Sequence, residues 1–194
     1  MTGIIILAAG SSSRMGKPKQ QLVYQEQTLL QRAIQVAAGI TEHKTIVVLG
    51  AGNETILQDV DSKIADIVIN PDWEQGMASS VKSGITALQT LYPQIQSALL
   101  MLCDQPFVTT QLLQQLIENG GGDERIIVAS AYNDTIGVPV YFGKAWFNDL
   151  LNLQGQEGAK TLLIKYKDKV VTVPFPLGHI DIDTQEDYQQ LLDN

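Results

Sequence analysis

The sequence predicts an α/β fold, a doubly wound and mainly parallel sheet, on three observations. Short, almost wholly apolar runs recur at residues 4–8, 45–49, 66–69, 98–102 and 126–129. Such runs read as strands buried on both faces, the habit of parallel sheets. Between them, residues 29–38, 54–60, 78–91 and 110–117 repeat apolar side chains at three- and four-residue spacing, the period of a helix. Finally, the two kinds of segment alternate, as strands joined by crossover helices must.

The elements follow in order. Residues 4–8 (IIILA) form a first strand that ends in small residues and Gly10. Helix 29–38 leads to strand 45–49, helix 54–60 to strand 66–69, helix 78–91 to strand 98–102, and helix 110–117 to strand 126–129. Residues 119–123 (NGGGD) read as a loop, because the α/β pattern resumes at once. The last third is less regular, with strand 138–142, helix 145–151, helix 157–166 and strand 170–175. Thr184 is placed to cap a final helix, with Glu186 and Asp187 in its first turn. No repeat, low-complexity tract or linker divides the 194 residues, so a single domain over 1–194 is expected.

Composition narrows the function. With 13 Lys+Arg against 21 Asp+Glu the formal net charge is −8. That disfavours a general nucleic-acid binder, which needs a basic face to displace counterions. One cysteine, Cys103, allows no intramolecular disulfide and no multi-cysteine metal site. The opening apolar run is too short to span a bilayer and no basic segment precedes it, so a soluble cytoplasmic protein is expected.

The strongest local signal is residues 7–19, LAAGSSSRMGKPK, directly after the first strand. An open α/β sheet binds its ligand there, at the carboxyl ends of the strands. Gly10 and Gly16 allow close backbone approach or positive φ, and successive N–H groups of such a loop can cradle phosphate oxygens. Arg14 offers a planar fork, Lys17 and Lys19 mobile point charges. Two familiar phosphate loops fail against it. The Gly10–Gly16 spacing and Pro18 exclude a P-loop, and Ser12 stands where a dinucleotide fingerprint needs its second glycine.

The same stretch resembles the signature of the molybdenum cofactor nucleotidyltransferases, most closely their cytidylyltransferase group, with the pattern LAAG-x-S-x-R-M-G-x-x-K. Further matches are Asn70-Pro71, Trp73 with Gly76, Met77, Ser79, Ser80 and Gly84, Cys103-Asp-Gln-Pro106, Gly137-Val-Pro139, Gly158-Ala-Lys160 and Asp181-Ile-Asp-Thr184. The resemblance implies a Rossmann-like nucleotidyltransferase fold and transfer of CMP from CTP to molybdopterin, with Mg²⁺ as cofactor. It implies a nucleotide site made of Leu7, Ala8, Ala9, Gly10, Ser11, Arg14, Lys19, Gly76, Met77, Ser79 and Ser80. Arg14 and Lys19 would contact the phosphates, and Asp104 and Asp183 would be the metal carboxylates. It also implies a recipient molybdoenzyme or its chaperone as partner. Relatives that use CTP generally carry LAAG, those that use GTP LAGG, and this chain reads Ala8-Ala9-Gly10.

Two departures stand out. Gln185 replaces a usual proline, and Gln156 and Lys160 replace the Asp and Arg of Gly-Asp-x-Gly-Ala-Arg, which bears on acceptor contacts. A guanylyltransferase, a sugar- or alcohol-phosphate nucleotidyltransferase and a non-catalytic nucleotide-binding module are the competing readings.

Spacing places Asp104 just past a strand end, where a metal ligand, a turn residue and a helix cap all fit. Asp181 and Asp183 share parity on an extended segment, while Asp187 would serve the following helix. Cys103 reads as a small core residue, His179 as a surface or structural histidine, and Trp73 as either a packing or a stacking ring.

Overall fold

A computed structural model describes residues 1–10, 15–16, 18–50, 54–57 and 60–193. In chain order the elements are β1 (Thr2–Ala8), β2 (Val23–Tyr24), β3 (Gln27–Thr28), α1 (Leu29–Ala38), β4 (His43–Gly50), α2 (Glu54–Leu57), β5 (Asp66–Asn70), α3 (Met77–Leu91), β6 (Ser97–Leu102), α4 (Thr110–Gly120), β7 (Ile127–Tyr132), β8 (Thr135–Gly143), α5 (Phe147–Leu151), α6 (Ala159–Lys165), β9 (Val170–Pro174) and α7 (Gln185–Leu192).

Among the described residues one seven-stranded sheet runs in the order β5-β4-β1-β6-β8-β7-β9, and β2 and β3 form a separate small hairpin. β1 pairs in parallel with β4 and β6, β4 with β5, and β7 with β9. Only β8 runs against its neighbours β6 and β7. The doubly wound, mainly parallel sheet is therefore as the sequence predicts.

The apolar runs show why. In β1, Ile4, Ile6 and Ala8 pack with α1 and α4 on one face of the sheet, and Ile5 packs with α3 and α5 on the other. Both faces of the strand are buried, so both parities must be apolar. Gly84 lets α3 lie close on the sheet, since a Cβ there would come 2.6 Å from the Ile5 methyl. A third, smaller cluster of Met15, Leu22, Leu29, Ile182 and Leu191 ties the first loop to α7.

Several boundaries differ from those expected. β8 starts at Thr135 and forms a hairpin with β7, through Asn133 and Asp134 at φ +44° and +57°. α5 begins at Phe147 after a 3-10 turn, and α6 begins at Ala159 after Gly158. α4 runs on to Gly120 before Gly121 turns left-handed, so Asn119 is helical. α2 covers Glu54–Leu57, and residues 58–59 of its expected span lie outside the described residues. Thr184 caps α7 as expected, and Asp187 completes the capping box by accepting from the Thr184 N–H at 2.7 Å. Among the described residues no helix is long and apolar enough to cross a membrane.

Candidate active site

The carboxyl ends of β1 and β6 meet above the sheet, next to the amino end of α3. A cleft of about 310 Å³ opens there, lined by Leu7, Ala9 and Gly10 after β1, by Lys19, by Trp73, Glu74, Gly76, Met77 and Ser80, by Leu102 and Asp104 after β6, and by Gln156. Most of the expected nucleotide-site residues thus border one cavity. Ala8 faces the other way, into the core. Ser79 borders a neighbouring groove along α3. Ser11 and Arg14, like Lys17, lie outside the described residues.

Lys19 is the centre of the charged part. It opens a short 3-10 turn of Lys19–Gln21. Its ammonium donates to Asp104 Oδ2 and, at 2.9 Å, to Asp183 Oδ1. Burial weighs against the ammonium, but the Asp104 charge and the hydrogen bonds to both carboxylates outweigh it and raise the lysine pKa above its ordinary value. Asp104 is buried, and its second oxygen, Oδ1, has no hydrogen-bond partner among the described residues. The Ile182 N–H donates to the Asp104 carbonyl at 3.0 Å, which brings the segment carrying Asp183 alongside. Ile182 is fully buried, while Asp181 and Asp183 beside it keep more exposure. Asp183 reaches Lys19, whereas Asp181 lines a separate depression with Phe107 and His179. Burial, with the charges of Asp183 and Asp104, raises the Asp181 pKa.

The donor set fits a hard divalent cation. Mg²⁺ takes one or two carboxylates and completes its shell with phosphate and water. An orphaned, buried carboxylate oxygen is a group that needs such a partner. Among the described residues there is no cluster of three or more His, Cys, Asp or Glu that could hold a metal ion.

Two supports of the site have no role assigned to them by the sequence, although Asn70 belongs to one of the matched motifs. Gln20 is 1% exposed and its Nε2 donates to the carbonyls of Ala8 at 2.6 Å and Gly10 at 3.1 Å. It pins the end of β1 to the segment carrying Lys19. Nothing in the string Lys-Gln-Gln marks one glutamine as buried. Asn70 is also buried, and its Nδ2 donates to the hydroxyls of Ser79 at 2.8 Å and Ser80 at 3.1 Å, holding the first turn of α3. Gln20→Ala is expected to lose about 2–4 kcal/mol of stability, since two carbonyls lose their donor and a cavity opens. Urea unfolding measures this, and a loss below about 0.5 kcal/mol, the ordinary surface effect, would show that the loop is held elsewhere.

Gly76 shapes the other wall. It sits at φ +111°, a conformation that side chains rarely adopt, and a Cβ there would overlap the Gly155 carbonyl. That carbonyl accepts from the Ala78 N–H at 3.1 Å, so the loop carrying Gln156 straps the start of α3. Lys160 is exposed on α6 and does not line the cleft. Trp73 packs over Gly50 and lines the cleft as well, so both of its expected roles are open to it. Cys103 is core, as expected, and burial pushes its thiol up to about 12. His179 is exposed, its Nδ1 lying 3.0 Å from the Pro176 carbonyl.

Residues 4–170 match the family described as the MobA-like NTP transferase domain. The molybdenum cofactor cytidylyltransferase of Escherichia coli (strain K12) is 26% identical over 186 residues, covering 95% of this chain and 92% of that protein. The crystal structure of Rv0371c from Mycobacterium tuberculosis H37Rv is similar with a TM-score of 0.84 at 32% identity, covering 100% of this chain and 97% of that one. The structure of Rv0371c in complex with manganese has a TM-score of 0.79 at 29% identity, covering 100% and 98%.

Proposed function

The chain belongs to the MobA-like NTP transferase family, and from that premise we propose that it transfers CMP from CTP to the phosphate of a molybdopterin-type acceptor. The observation that carries this reading is the meeting of Asp104 and Asp183 on Lys19, beside a cleft that Lys19 and Asp104 line together with Leu7, Ala9 and Gly10.

In this reading an oxygen of the acceptor phosphate attacks the α-phosphorus of CTP in line. The new P–O bond forms as the bond to the β-phosphate bridging oxygen breaks, and pyrophosphate leaves with that electron pair. No protein nucleophile is required, so the protein's part is positioning and charge stabilisation. Lys19, with Arg14, would offset charge on the phosphates. Asp104 and Asp183 would hold Mg²⁺, which when bound stabilises the growing negative charge by several kcal/mol. Gly10 leaves open space where a side chain would stand, so backbone and phosphate can approach. Asn70 and Gln20 keep the two walls of the cleft in place.

The deciding experiment is pyrophosphate release with CTP, GTP, ATP and UTP, with and without molybdenum cofactor. Acceptor-dependent release with CTP is expected. A preference for GTP would replace this reading with guanylyl transfer, release that ignores the cofactor would mean hydrolysis by water and overturn the transfer to molybdopterin, and no release with any nucleotide and the cofactor would point to another acceptor phosphate.

Base choice is expected to depend on Ala9, which lines the cleft and is itself 8% exposed. Its methyl group takes space beside the base and favours the smaller pyrimidine. Ala9→Gly should narrow the CTP/GTP ratio of kcat/KM by about 10-fold or more, the usual worth of one methyl in a pocket. An unchanged ratio would sink the steric explanation and leave the cytidylyl assignment standing.

A further inference from the structure

The seat of Lys19 bears on how a divalent cation reaches its carboxylates. The ammonium occupies Asp104 Oδ2 and Asp183 Oδ1, one oxygen from each of the residues that would hold the cation. An ammonium on these oxygens and a dication drawn to the same two carboxylates would stand within a few ångströms of each other. Two positive centres a few ångströms apart repel strongly where burial limits screening by water. The Lys19 side chain is 17% exposed and that of Asp104 9%, so this ion pair is largely out of solvent, while Asp183 at 46% stands at its edge. The backbone is also held, because the adjoining Gln20 is locked to Ala8 and Gly10. What can move is the lysine's flexible stem. It lines the same cleft as Ala9 and Gly10, where the triphosphate would lie.

We infer that Lys19 is a resident competitor for the divalent cation: without nucleotide its ammonium offsets one of the two negative charges of Asp104 and Asp183 and occupies an oxygen of each, so the cation binds weakly, and an arriving triphosphate draws the ammonium away and frees those oxygens. This rests on the reading of those aspartates as cation ligands. Nucleotide and cation then bind with positive coupling, each raising the affinity for the other by the same factor. The buried Asp104 always has a countercharge, first the lysine and then the cation, which avoids the high cost of an unpaired buried charge.

The test uses Mn²⁺ as probe, with free Mn²⁺ counted by electron paramagnetic resonance. Full-length wild type and Lys19→Met are titrated without nucleotide, with Lys19→Gln as the second variant should the first not fold. The variants are expected to bind Mn²⁺ about tenfold more tightly than wild type, within the ordinary range of coupling between sites. In a thermal melt, Mn²⁺ should also protect the variants more than wild type. Equal or weaker Mn²⁺ binding in both variants overturns the inference. Asp104→Asn, added to the tighter-binding variant, separates the two levels. Loss of the gained affinity supports the aspartate ligands together with the competition. Retained affinity shows that the cation sits elsewhere, which overturns both the ligand reading and the inference.

Discussion

Asp104→Ala is expected to lower kcat about a thousandfold, equivalent to losing ~4 kcal/mol of transition-state stabilisation, while the protein still folds. The reason lies in where the side chain sits. Asp104 is buried just beyond β6, one oxygen on Lys19 and the other with no partner among the described residues. Truncation removes the proposed cation ligand and a counterion of Lys19 together. The fold should tolerate this better than catalysis does, because Asp183 still accepts from Lys19 at 2.9 Å. Single-turnover rates with Mg²⁺, set beside thermal melts, separate the two effects. Activity within tenfold of wild type would remove Asp104 from the cation site. Asp183→Asn should fall in the same direction, keeping shape but losing charge. Asp181→Asn should be milder, since Asp181 lines the neighbouring depression rather than the cleft. If Asp181→Asn is the more damaging, the assignment within this pair is reversed.

The second large effect is expected at Gly76. Gly76→Ala should cost about 2–4 kcal/mol of stability, combining strain at a left-handed backbone position with overpacking. The new Cβ would overlap the Gly155 carbonyl, a backbone atom that cannot swing aside as a side-chain tip can. The loop of Gly155 and Gln156 must then lift off the start of α3, breaking the hydrogen bond from Ala78. Gln156, Met77 and Ser80 would shift with it, and all three line the cleft. A displacement near 1 Å at a reacting geometry costs about a hundredfold in rate. Urea unfolding and kcat/KM should therefore fall together. A stable but inactive variant would mean that Gly76 meets the substrate directly, and a variant normal in both would mean that the loop is free to move.

Much of the fold is legible because burial on both faces of β1, β4 and β6 forces unbroken apolar runs, and a helix that packs by one face shows its period. The Thr184 cap is legible for a similar reason: its hydroxyl and the Asp187 carboxylate meet backbone groups within one turn. β8 is harder to read. Its direction depends on a tight turn at Asn133-Asp134, which lacks the glycine that usually marks such turns. The small β2–β3 hairpin turns at Gln25 and Glu26, both at positive φ, and no turn rule picks out those two residues.

The site divides along the same line. The residue types were readable: a glycine- and cation-bearing loop after the first strand, and acidic residues near strand ends and a helix start. Those are local facts, set by what a strand end and a first helical turn can accept. Which of them meet was decided by the tertiary structure. Lys19 lies 85 residues from Asp104 and 164 from Asp183, and the β1–β6 pairing, the Ile182 hydrogen bond, the Gln20 link to β1 and the cluster around Leu22 and Ile182 bring the three together. The press of Gly76 on Gly155 is likewise a contact between distant segments, and Gln20 reaches back 12 and 10 residues, to Ala8 and Gly10, across the loop. A sequence records each residue's own chemistry and that of its near neighbours. A buried partner far along the chain leaves no periodic trace, so Ala8 turns to the core, Ala9 to the cleft and Lys19 onto two carboxylates only once the sheet is assembled.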